Sequence, residues 1–561
     1  MARRSELFPC DQATLDAYQG RLKQNPVISK TLTMRMRIVH SWLILLLLAA
    51  IPSAAQTNTA AAAVNQGGKG ASPAVPPAYS NPVIPGDFPD PSVIKVGDTY
   101  YATGTSSEWA PHYPLFTSKD LVHWKQLGYI FSKKPEWTTA SFWAPELYYY
   151  KDKFYVYYTA RNQQKVSYIG VAVTDDPAKG FTDKGPLITM GTEDIDAFVF
   201  KDDDGLYITW KAYGLDKRPI ELLGSRLSAD GLSLQGEPFS LLKDTARKGM
   251  EGQSIVKRNG YYYLLYSAGG CCGVPCDYNV RVARSKSLKG PYELNPANPI
   301  LHGNTSWMCT GHGTPVKVDD KRWFYLYHAY NVKDNVYTGR QGMLDELFWD
   351  KTSGWPYFKH DNSPSAGDAA TPEWRDDFER ATLSFNWQWN FRAYTPDAKL
   401  NGGKLYLSGN AIKPNTSGTA LCLRPLRASY EISTEVANIN AALKGLVIYG
   451  DDKATAGIGV KDKQVLLWKE TDGKREELPG ITLSDAAPVQ LKIKVVDGWQ
   501  LQCSYRTGNG AWQQLPQAGS DANFLDGRFL KQWDRSPRPG LLQQGGANEA
   551  ACFSWFSIKY E

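Results

Sequence analysis

The stretch Asp90-Pro91-Ser92-Val93-Ile94-Lys95-Val96-Gly97-Asp98-Thr99-Tyr100-Tyr101 contains a polar residue, a short apolar strand, a tight turn and an aromatic-rich strand. The same design recurs four more times before residue 330, at intervals of about 50 to 60 residues. The later copies begin at Ala144, Asp196, Glu251 and His312. Repeats of this length, with strand-type alternation and Gly, Asp or Asn turns, are typical of a β-propeller. The sequence therefore predicts a five-bladed β-propeller over residues 80–360.

The first residue of each copy stands eight residues before a turn residue, namely Asp98, Asp152, Asp204, Asn259 and Asp320. In a propeller the first strand of each blade runs beside the central axis, so the residues that start these strands share one mouth of the channel. Four of the five starting residues are ionisable: Asp90, Asp196, Glu251 and His312. A single acidic residue near a turn is usually a solvated strand end. Four ionisable residues at one position of the repeat indicate a functional site.

The composition indicates two folded domains. The chain has 561 residues, of which 42% are apolar and 12% aromatic, enough to bury sizeable cores. The net charge of +6 is concentrated in residues 1–37, which hold seven Lys or Arg and three Asp or Glu. The remainder is nearly neutral and lacks the basic surface of a nucleic-acid-binding protein. We expect no nucleic-acid partner.

The N-terminal segment has the pattern of a secretory signal peptide. Arg35 and Arg37 precede the apolar run Ile38–Ile51, and small residues follow at 53–55. The run is short for a membrane-spanning helix, which favours cleavage near Ala55 over a retained anchor. We therefore expect a secreted or periplasmic protein with no stable membrane partner. Met34 or Met36 would make a more ordinary start than Met1, and residues 56–79 are expected to form a flexible tether.

Export would place the seven cysteines after Cys10 in an oxidising compartment. Cys271, Cys272 and Cys276 lack the second spaced pair, or the nearby histidines, of a typical zinc site. We interpret them as a loop staple in which Cys276 or Cys272 bonds Cys309. The odd number of cysteines leaves at least one free thiol.

A different pattern begins after an expected linker at residues 361–372. Short alternating strands are predicted at 430–436, 445–449 and 489–495, with a closing strand at 551–560. Many short strands over some 190 residues are typical of a β-sandwich. We therefore predict an all-β chain in which a β-sandwich over residues 373–561 follows the propeller.

Six motifs in order carry a resemblance to a known family. They are Asn81–Ser92, Ser141–Glu146, Ile195-Asp196-Ala197, Met250-Glu251-Gly252, Gly311-His312-Gly313 and Gly339–Leu344. With these motifs, residues 81–360 resemble glycoside hydrolase family 43. The ordered set spans the whole predicted propeller, although a motif such as Asp-Pro-Ser is common by itself.

The resemblance implies an inverting mechanism with three carboxylates. It assigns Asp90 as general base, Glu251 as general acid and Asp196 as the residue that orients the acid and raises its pKa. Inversion needs one carboxylate to deprotonate water and one carboxylic acid to protonate the leaving oxygen. A third carboxylate near Glu251 would disfavour ionisation of Glu251 and so keep its proton available.

The resemblance also suggests roles for residues around these acids. It implies a calcium ion in the channel at His312, bound directly or through water, although a neutral hydrogen-bonded histidine is an equal alternative. Arg340 would hold a substrate hydroxyl or fix a carboxylate, with a structural ion pair as the alternative. Trp143 is expected to be a sugar platform. Glu193 and Asp194 do not match the repeat and are interpreted as solvated loop charges.

The C-terminal half resembles the concanavalin-A-like domain, of jelly-roll type, that follows the propeller in family 43 β-xylosidases. Such a domain closes one end of the catalytic mouth, which favours attack on chain ends. The expected function is a secreted inverting exo-glycosidase that releases xylose or arabinofuranose from plant cell-wall polysaccharides or oligosaccharides and requires no cofactor. An endo-1,5-α-L-arabinanase, supported by Cys271-Cys272, is the first alternative. A non-hydrolytic carbohydrate-binding propeller is the second, and the sandwich alone could be a detached carbohydrate-binding module.

Overall fold

The computed structural model describes residues 76–365, 373–412, 416–484, 488–515 and 526–561. The predicted signal peptide, Cys10 and most of the two predicted linkers lie outside these residues. Within the described part of the chain, no helix is both long enough and apolar enough to cross a bilayer. Short helical turns occur at Asn335–Thr338 and Lys359–Asn362, and 3-10 turns at Pro177–Lys179 and Arg528–Leu530.

Five four-stranded antiparallel sheets form the five predicted blades. Blade 1 contains β1 (Ser92–Val96), β2 (Thr99–Thr103), β4 (His112–Ser118) and β5 (Trp124–Phe131). The short strand β3 (Trp109–Ala110) lies in the loop between β2 and β4. Blade 2 contains β6 (Ala140–Tyr150), β7 (Lys153–Arg161), β8 (Ser167–Thr174) and β9 (Thr182–Ile188). Blade 3 contains β10 (Asp194–Asp202), β11 (Gly205–Ala212), β12 (Ile220–Leu227) and β13 (Leu234–Asp244). Blade 4 contains β14 (Met250–Arg258), β15 (Tyr261–Ala268), β16 (Asn279–Ser285) and β17 (Glu293–Leu294), and blade 5 contains β18 (Trp307–Lys317), β19 (Trp323–Asn331), β20 (Arg340–Trp349) and β21 (Pro356–Tyr357).

Apolar clusters between neighbouring blades hold the ring together. Five separate clusters join blades 1 and 2, 2 and 3, 3 and 4, 4 and 5, and 5 and 1. The inner strands of the blades therefore bury side chains on both faces, as the aromatic-rich repeats require. Ile84 pairs with Gly342, and the Tyr79 hydroxyl donates to the Leu344 carbonyl at 2.9 Å. The expectation that residues up to 79 have nothing to pack against is therefore wrong for Tyr79.

The innermost strands share an irregularity where they meet the axis. At this point every blade has a residue with a positive φ, with values of 52° at Asp90, 37° at Ala144, 59° at Asp196, 58° at Gly252 and 44° at His312. In blades 2 to 5 this residue stands at a register shift between the first two strands. The bulge turns these residues toward the channel. The repeat therefore has a common structural position at the axis.

Blade 4 departs from the spacing expected from the sequence. Asn259 and Gly260 form its first turn, because Arg258 pairs with Tyr261, whereas Asp203 and Asp204 form the turn of blade 3. Gly260, and not Asn259, therefore corresponds to Asp204. Gly252 consequently occupies the repeat position, and Glu251 precedes it by one residue.

Two antiparallel sheets form the predicted β-sandwich. One contains β22 (Trp374–Asp376), β24 (Tyr394–Leu400), β25 (Leu405–Ala411), β27 (Tyr430–Val436), β32 (Val489–Val496), β33 (Gln500–Thr507), β34 (Gln513–Gln514) and β36 (Ala551–Tyr560). The other contains β26 (Thr419–Cys422), β28 (Leu443–Asp451), β29 (Ala454–Lys461), β30 (Gln464–Thr471), β31 (Lys474–Thr482) and β35 (Arg538–Gln544). A single large apolar cluster fills the space between the sheets. A further strand, β23 (Trp389–Asn390), pairs with β3 of the propeller and so ties the two domains together.

The cysteines partly match the sequence-based expectation. Cys276 and Cys309 form a disulfide, which confirms one of the two predicted pairings. Cys271 and Cys272 bond to each other, a pairing that was not predicted. Among the described residues, three buried cysteines remain as thiols: Cys422, Cys503 and Cys552.

Candidate active site

Asp90 lies at the base of the channel mouth, where three groups fix its position. Thr105 Oγ1 donates to Asp90 Oδ2 at 2.7 Å, and Arg340 Nη1 donates to Asp90 Oδ1 at 3.0 Å. The Asp90 amide donates to His328 Nδ1 at 3.0 Å. The Thr105 hydroxyl in turn accepts the Ala144 amide at 2.7 Å, which links the carboxylate to blade 2.

These neighbours keep Asp90 ionised. Burial alone would raise the pKa of Asp90, but the positive charge of Arg340, together with His312 and His328, lowers the pKa below its usual range. Burial also lowers the pKa of His328 to about 4. Because the neutral ring of His328 accepts the Asp90 amide at Nδ1, its proton resides on Nε2. Asp90 is therefore a permanently charged acceptor at neutral pH.

Asp196 approaches the axis from blade 3 and is held by the backbone of blade 4. The Gly252 amide donates to Asp196 Oδ2 at 2.9 Å, and the Asp196 amide donates to Thr159 Oγ1 at 3.2 Å. A Cβ on residue 252 would lie 2.7 Å from the His312 ring, and the φ of 58° also favours glycine. Glycine at 252 therefore lets Asp196, His312 and the blade 4 backbone meet.

Glu251 is the most exposed of the three carboxylates, with 18% of its side chain accessible compared with 10% for Asp90 and 6% for Asp196. Lys211 Nζ donates to Glu251 Oε2 at 3.0 Å, and the Tyr278 hydroxyl donates to Oε1 at 3.0 Å. The register difference in blade 4 thus gives Glu251 a different environment from that of Asp90 and Asp196. The structure brings all three predicted carboxylates to one mouth.

Glu251 and Asp196 differ in the charge state that their surroundings favour. Burial would raise the pKa of Glu251, but Lys211 and the Tyr278 hydrogen bond lower it below the usual value. Burial raises the pKa of Asp196 to about 7, helped by the charge of Glu251 and opposed by His312. Lys211 therefore favours the ionised form of Glu251 in the free protein. The role of Asp196 in orienting Glu251 and raising its pKa stays a prediction.

Glu193 and Asp194 are not the solvated loop charges that the sequence suggested. Glu193 is 6% exposed and Asp194 is fully buried. Glu193 Oε1 accepts Lys211 Nζ at 2.8 Å, and Asp194 accepts the Trp210 indole at 3.1 Å. Burial raises the pKa of Asp194 to about 6. Glu193 thus holds the lysine that contacts Glu251.

His312 faces carboxylates and not a set of free oxygen ligands. Its Nδ1 lies 3.4 Å from Asp90 Oδ1 and 3.7 Å from Asp196 Oδ2. Asp90 Oδ1 already accepts a hydrogen bond from Arg340, and Asp196 Oδ2 already accepts one from the Gly252 amide. Among the described residues, no group of three or more His, Cys, Asp or Glu side chains is arranged to hold a metal. This donor set does not fit the implied calcium ion, and we derive no step through calcium.

The sandwich contributes to the mouth through the loop before β35. Asp534 of this loop accepts Arg340 Nη2 at its backbone carbonyl, at 3.1 Å. Arg340 is only 3% exposed and fixes the Asp90 carboxylate, one of the roles expected for it; its contact with substrate stays a prediction. The Trp533 ring lies edge-to-face with the Trp143 ring, with centroids 6.3 Å apart. Trp533 is 58% exposed, so two tryptophans from different domains border the opening.

The sequence analysis missed several residues of this site. Lys211 and His328 stand inside apolar strands, and a charged residue in such a strand is a usable signal of a buried ionic contact. Trp533 has no comparable signal, because its loop lies more than 180 residues beyond β20.

Comparison with known proteins agrees with this architecture. Residues 79–356 match the family model described as glycosyl hydrolases family 43. Residues 375–559 match the model described as the β-xylosidase C-terminal concanavalin A-like domain. The two matches together cover most of the chain, with one match in each observed domain.

Individual proteins show the same similarity. The non-reducing end α-L-arabinofuranosidase of Bacteroides ovatus is 29% identical over 72% of this chain and 79% of its own length. A β-xylosidase of Bacillus subtilis is 29% identical over 55% of this chain, and the alignment spans 64% of that enzyme, which is less than two thirds. The crystal structure of the family 43 protein BlXynB from Bacillus licheniformis superposes with a TM-score of 0.73 at 25% identity, covering 86% of this chain and 100% of that one. With a five-bladed propeller, an appended sandwich and matches in both domains, this chain belongs to glycosyl hydrolase family 43 and is a glycoside hydrolase.

Proposed function

We propose that the chain is a secreted, inverting exo-glycosidase that removes terminal xylose or arabinofuranose from plant cell-wall polysaccharides or oligosaccharides. The observation that carries this proposal is the mouth itself, where three carboxylates lie beneath Trp533 and Asp534 of the sandwich. One relative is named a non-reducing end α-L-arabinofuranosidase and the other a β-xylosidase. These names support a terminal pentose as the sugar that is released. Export rests on the predicted signal peptide at residues 34–55. Catalysis would reside in residues 80–360, with residues 373–561 shaping access.

In the proposed mechanism, Asp90 takes a proton from a water that attacks the anomeric carbon. Arg340 and Thr105 hold the two oxygens of Asp90, so the charged carboxylate is oriented before substrate enters. Glu251 donates a proton to the glycosidic oxygen as the bond to the anomeric carbon breaks. Glu251 must therefore carry a proton when the substrate is bound. The leaving oxygen, which gains negative charge as the bond breaks, favours this transfer.

Replacing Lys211 with Met is expected to move the alkaline limb of the kcat/KM profile upward by about one pH unit or more. The charge of Lys211 lowers the pKa of both Glu251 and Asp196, so its loss raises both. The acid acts only when protonated, so activity is lost as pH rises through the pKa of the pair and now persists to higher pH. The measurement is kcat/KM across the neutral and alkaline range.

The matched control for this pH experiment is Lys243→Met. Lys243 pairs with Glu221 at 3.2 Å on the outer strands of blade 3, away from the channel, so its loss leaves the profile unchanged. An alkaline limb of Lys211→Met that stays in place, or moves to lower pH, would contradict the proposed coupling.

Replacing Trp533 with Ala is expected to raise KM for oligosaccharides by about tenfold while leaving thermal stability nearly unchanged. Trp533 is largely exposed and borders the opening, so truncation removes aromatic surface that a sugar would contact without emptying a core site. Kinetics on a pentose disaccharide and a melting curve provide the measurement. Leu294→Ala, at a position 55% exposed on the outer strand β17 of blade 4, is the control. An unchanged KM would remove Trp533 from the substrate path.

An endo-acting arabinanase is the second candidate, because Cys271 and Cys272 lie near the mouth and the adjacent Gly273 is close to Trp533. Such an enzyme needs a groove that is open at both ends, and the sandwich loop at the mouth disfavours that geometry. Incubation with linear arabinan, arabino-oligosaccharides and xylo-oligosaccharides distinguishes the two. We expect single pentoses from the first time point. Early accumulation of oligosaccharides would support the endo-acting candidate and contradict the exo proposal.

A further inference from the structure

A second cavity lies between blade 1 and the sandwich, next to the mouth: Thr105, which bonds Asp90, lines it, whereas Asp90, Asp196 and Glu251 do not. Its volume is about 350 Å³, within the range of small-ligand sites. Phe116, Gln126 and Tyr129 line it from blade 1, and Phe385, Arg424 and Arg538 line it from the sandwich. A ligand there would contact both domains at once.

Two guanidinium groups in this cavity lack a carboxylate partner. Arg538 is 3% exposed, its Nη1 donates to the neutral side chain of Gln388, and its Nε makes no hydrogen bond. Arg424 Nη1 donates to the backbone carbonyl of Asp87 at 3.3 Å. Neither arginine has an acidic side chain within ion-pair distance among the described residues. Burial lowers the pKa of Arg538 to about 10, and the charge of Asp87 opposes this shift only in part.

The carboxylates that line the same cavity are engaged elsewhere. Asp87 accepts the Arg340 amide at 3.1 Å on Oδ1 and the Ser536 amide at 3.3 Å on Oδ2. Glu373 pairs with Lys559 at 3.2 Å on the exposed rim. Arg538 is buried and Arg424 is half-buried. The charge of Asp87 compensates both arginines in part, without an ion pair to either. An anionic ligand would offset the remaining cost of burying these cations.

The remaining walls have the character of a sugar-binding surface. Phe385 is 53% exposed and lies edge-to-face with Tyr129, with ring centroids 6.4 Å apart. The carboxamides of Gln126, Asn386 and Gln388 also line the cavity. Aromatic faces pack against the apolar side of a sugar ring, and carboxamides bond its hydroxyls. Guanidinium forks bind carboxylates in bidentate fashion.

We propose that this interdomain cavity is an accessory binding site for an acidic sugar, that is, a monosaccharide unit whose carboxylate contacts Arg424 and Arg538. The sugar ring packs against the exposed ring of Phe385, whose position is fixed by its edge-to-face contact with Tyr129. Because sandwich and propeller both contribute to the cavity, the bound sugar stabilises the association of the domains and raises the melting temperature. The site is independent of the catalytic carboxylates.

Titration of the full chain by calorimetry tests this site, with glucuronic acid as the probe and glucose as its neutral counterpart. We expect one saturable site for glucuronic acid, with glucose at least tenfold weaker and a melting temperature that rises with glucuronic acid only. Arg424→Gln should weaken binding at least tenfold. The exposed arginine variant Arg380→Gln and the mouth variant Glu251→Gln, whose residue does not line the cavity, should bind as the wild type does.

Each other outcome overturns the assignment. If glucose binds as tightly as glucuronic acid, the site does not recognise the carboxylate. If inorganic phosphate binds as tightly as glucuronic acid, the site does not recognise the sugar ring. Undiminished binding by a folded Arg424→Gln variant would place the ligand elsewhere. Should Arg424→Gln fail to fold, Phe385→Ala removes an exposed ring and must weaken glucuronic acid binding without affecting any binding of phosphate; unchanged binding again refutes the site. Hydrolytic activity is not a readout here, so failure of the proposed enzymatic function leaves this test intact.

Discussion

Glu251→Gln is expected to lower kcat on an unactivated pentose oligosaccharide by about a thousandfold. The amide cannot protonate the glycosidic oxygen, so the sugar must depart as an alkoxide. A dinitrophenyl pentoside needs no such proton, because its phenolate is a stable leaving group, and we expect a much smaller loss on that substrate. The ratio of the two losses measures proton donation, whereas simple damage to the mouth would lower both rates together.

The control for this comparison is Glu237→Gln, at an exposed position on the outer strand of blade 3. It should leave both substrates unaffected. Equal losses on both substrates for Glu251→Gln, with the melting temperature maintained, would contradict the assignment of Glu251 as general acid.

Asp90→Asn is expected to lower kcat by about a thousandfold or more on both kinds of substrate. The attacking water loses its base whatever the leaving group is. The same loss of kcat is therefore expected on an activated aryl pentoside. The substitution also leaves Arg340, which is 3% exposed, without the carboxylate that it bonds at 3.0 Å. Some loss of stability is therefore expected as well, and assays must be run well below the melting temperature of the variant.

Asp320→Asn serves as the matched substitution, since Asp320 is an exposed turn residue whose side-chain partner, Lys317, lies on the surface. A folded Asp90→Asn variant that retains turnover within about tenfold of the wild type would remove Asp90 as the base.

The sequence predicted the ring well, because each blade repeats the alternation of apolar and polar residues that packed sheets require. Tyr100, Tyr155 and Tyr325 stand at such positions and lie in the clusters between blades. The sandwich followed from the same type of pattern, confirmed by the core between its two sheets. Local periodicity determines which face of a strand is buried, so these features are readable without coordinates.

The alignment of blade 4 with the other blades was harder to predict from the sequence. Asn259 and Gly260 both suit a tight turn, and the sequence does not distinguish which of them corresponds to Asp204. The structure places Gly252 at the axis, where a side chain would overlap His312. Glu251 is therefore adjacent to the repeat position, which gives its carboxylate access to Lys211 and Tyr278.

The electrostatics of the site could not be predicted, since they depend on contacts between blades that are distant in sequence. Lys211 on β11 joins Glu193 and Glu251, and Arg340 on β20 reaches Asp90 across 250 residues. These cations lower the pKa of two carboxylates, while Asp196 lacks such a direct partner and its pKa rises to about 7. The three acids thus acquire distinct roles from their neighbours and not from their residue types.

The most direct test of the account is the configuration of the sugar released in the first turnovers, followed by proton NMR before the anomers equilibrate. A base at Asp90 that activates water opposite an acid at Glu251 predicts that the first product carries the anomeric configuration opposite to that of the substrate. A first product with the configuration of the substrate would require a covalent glycosyl intermediate and would contradict the proposed division of work among Asp90, Asp196 and Glu251.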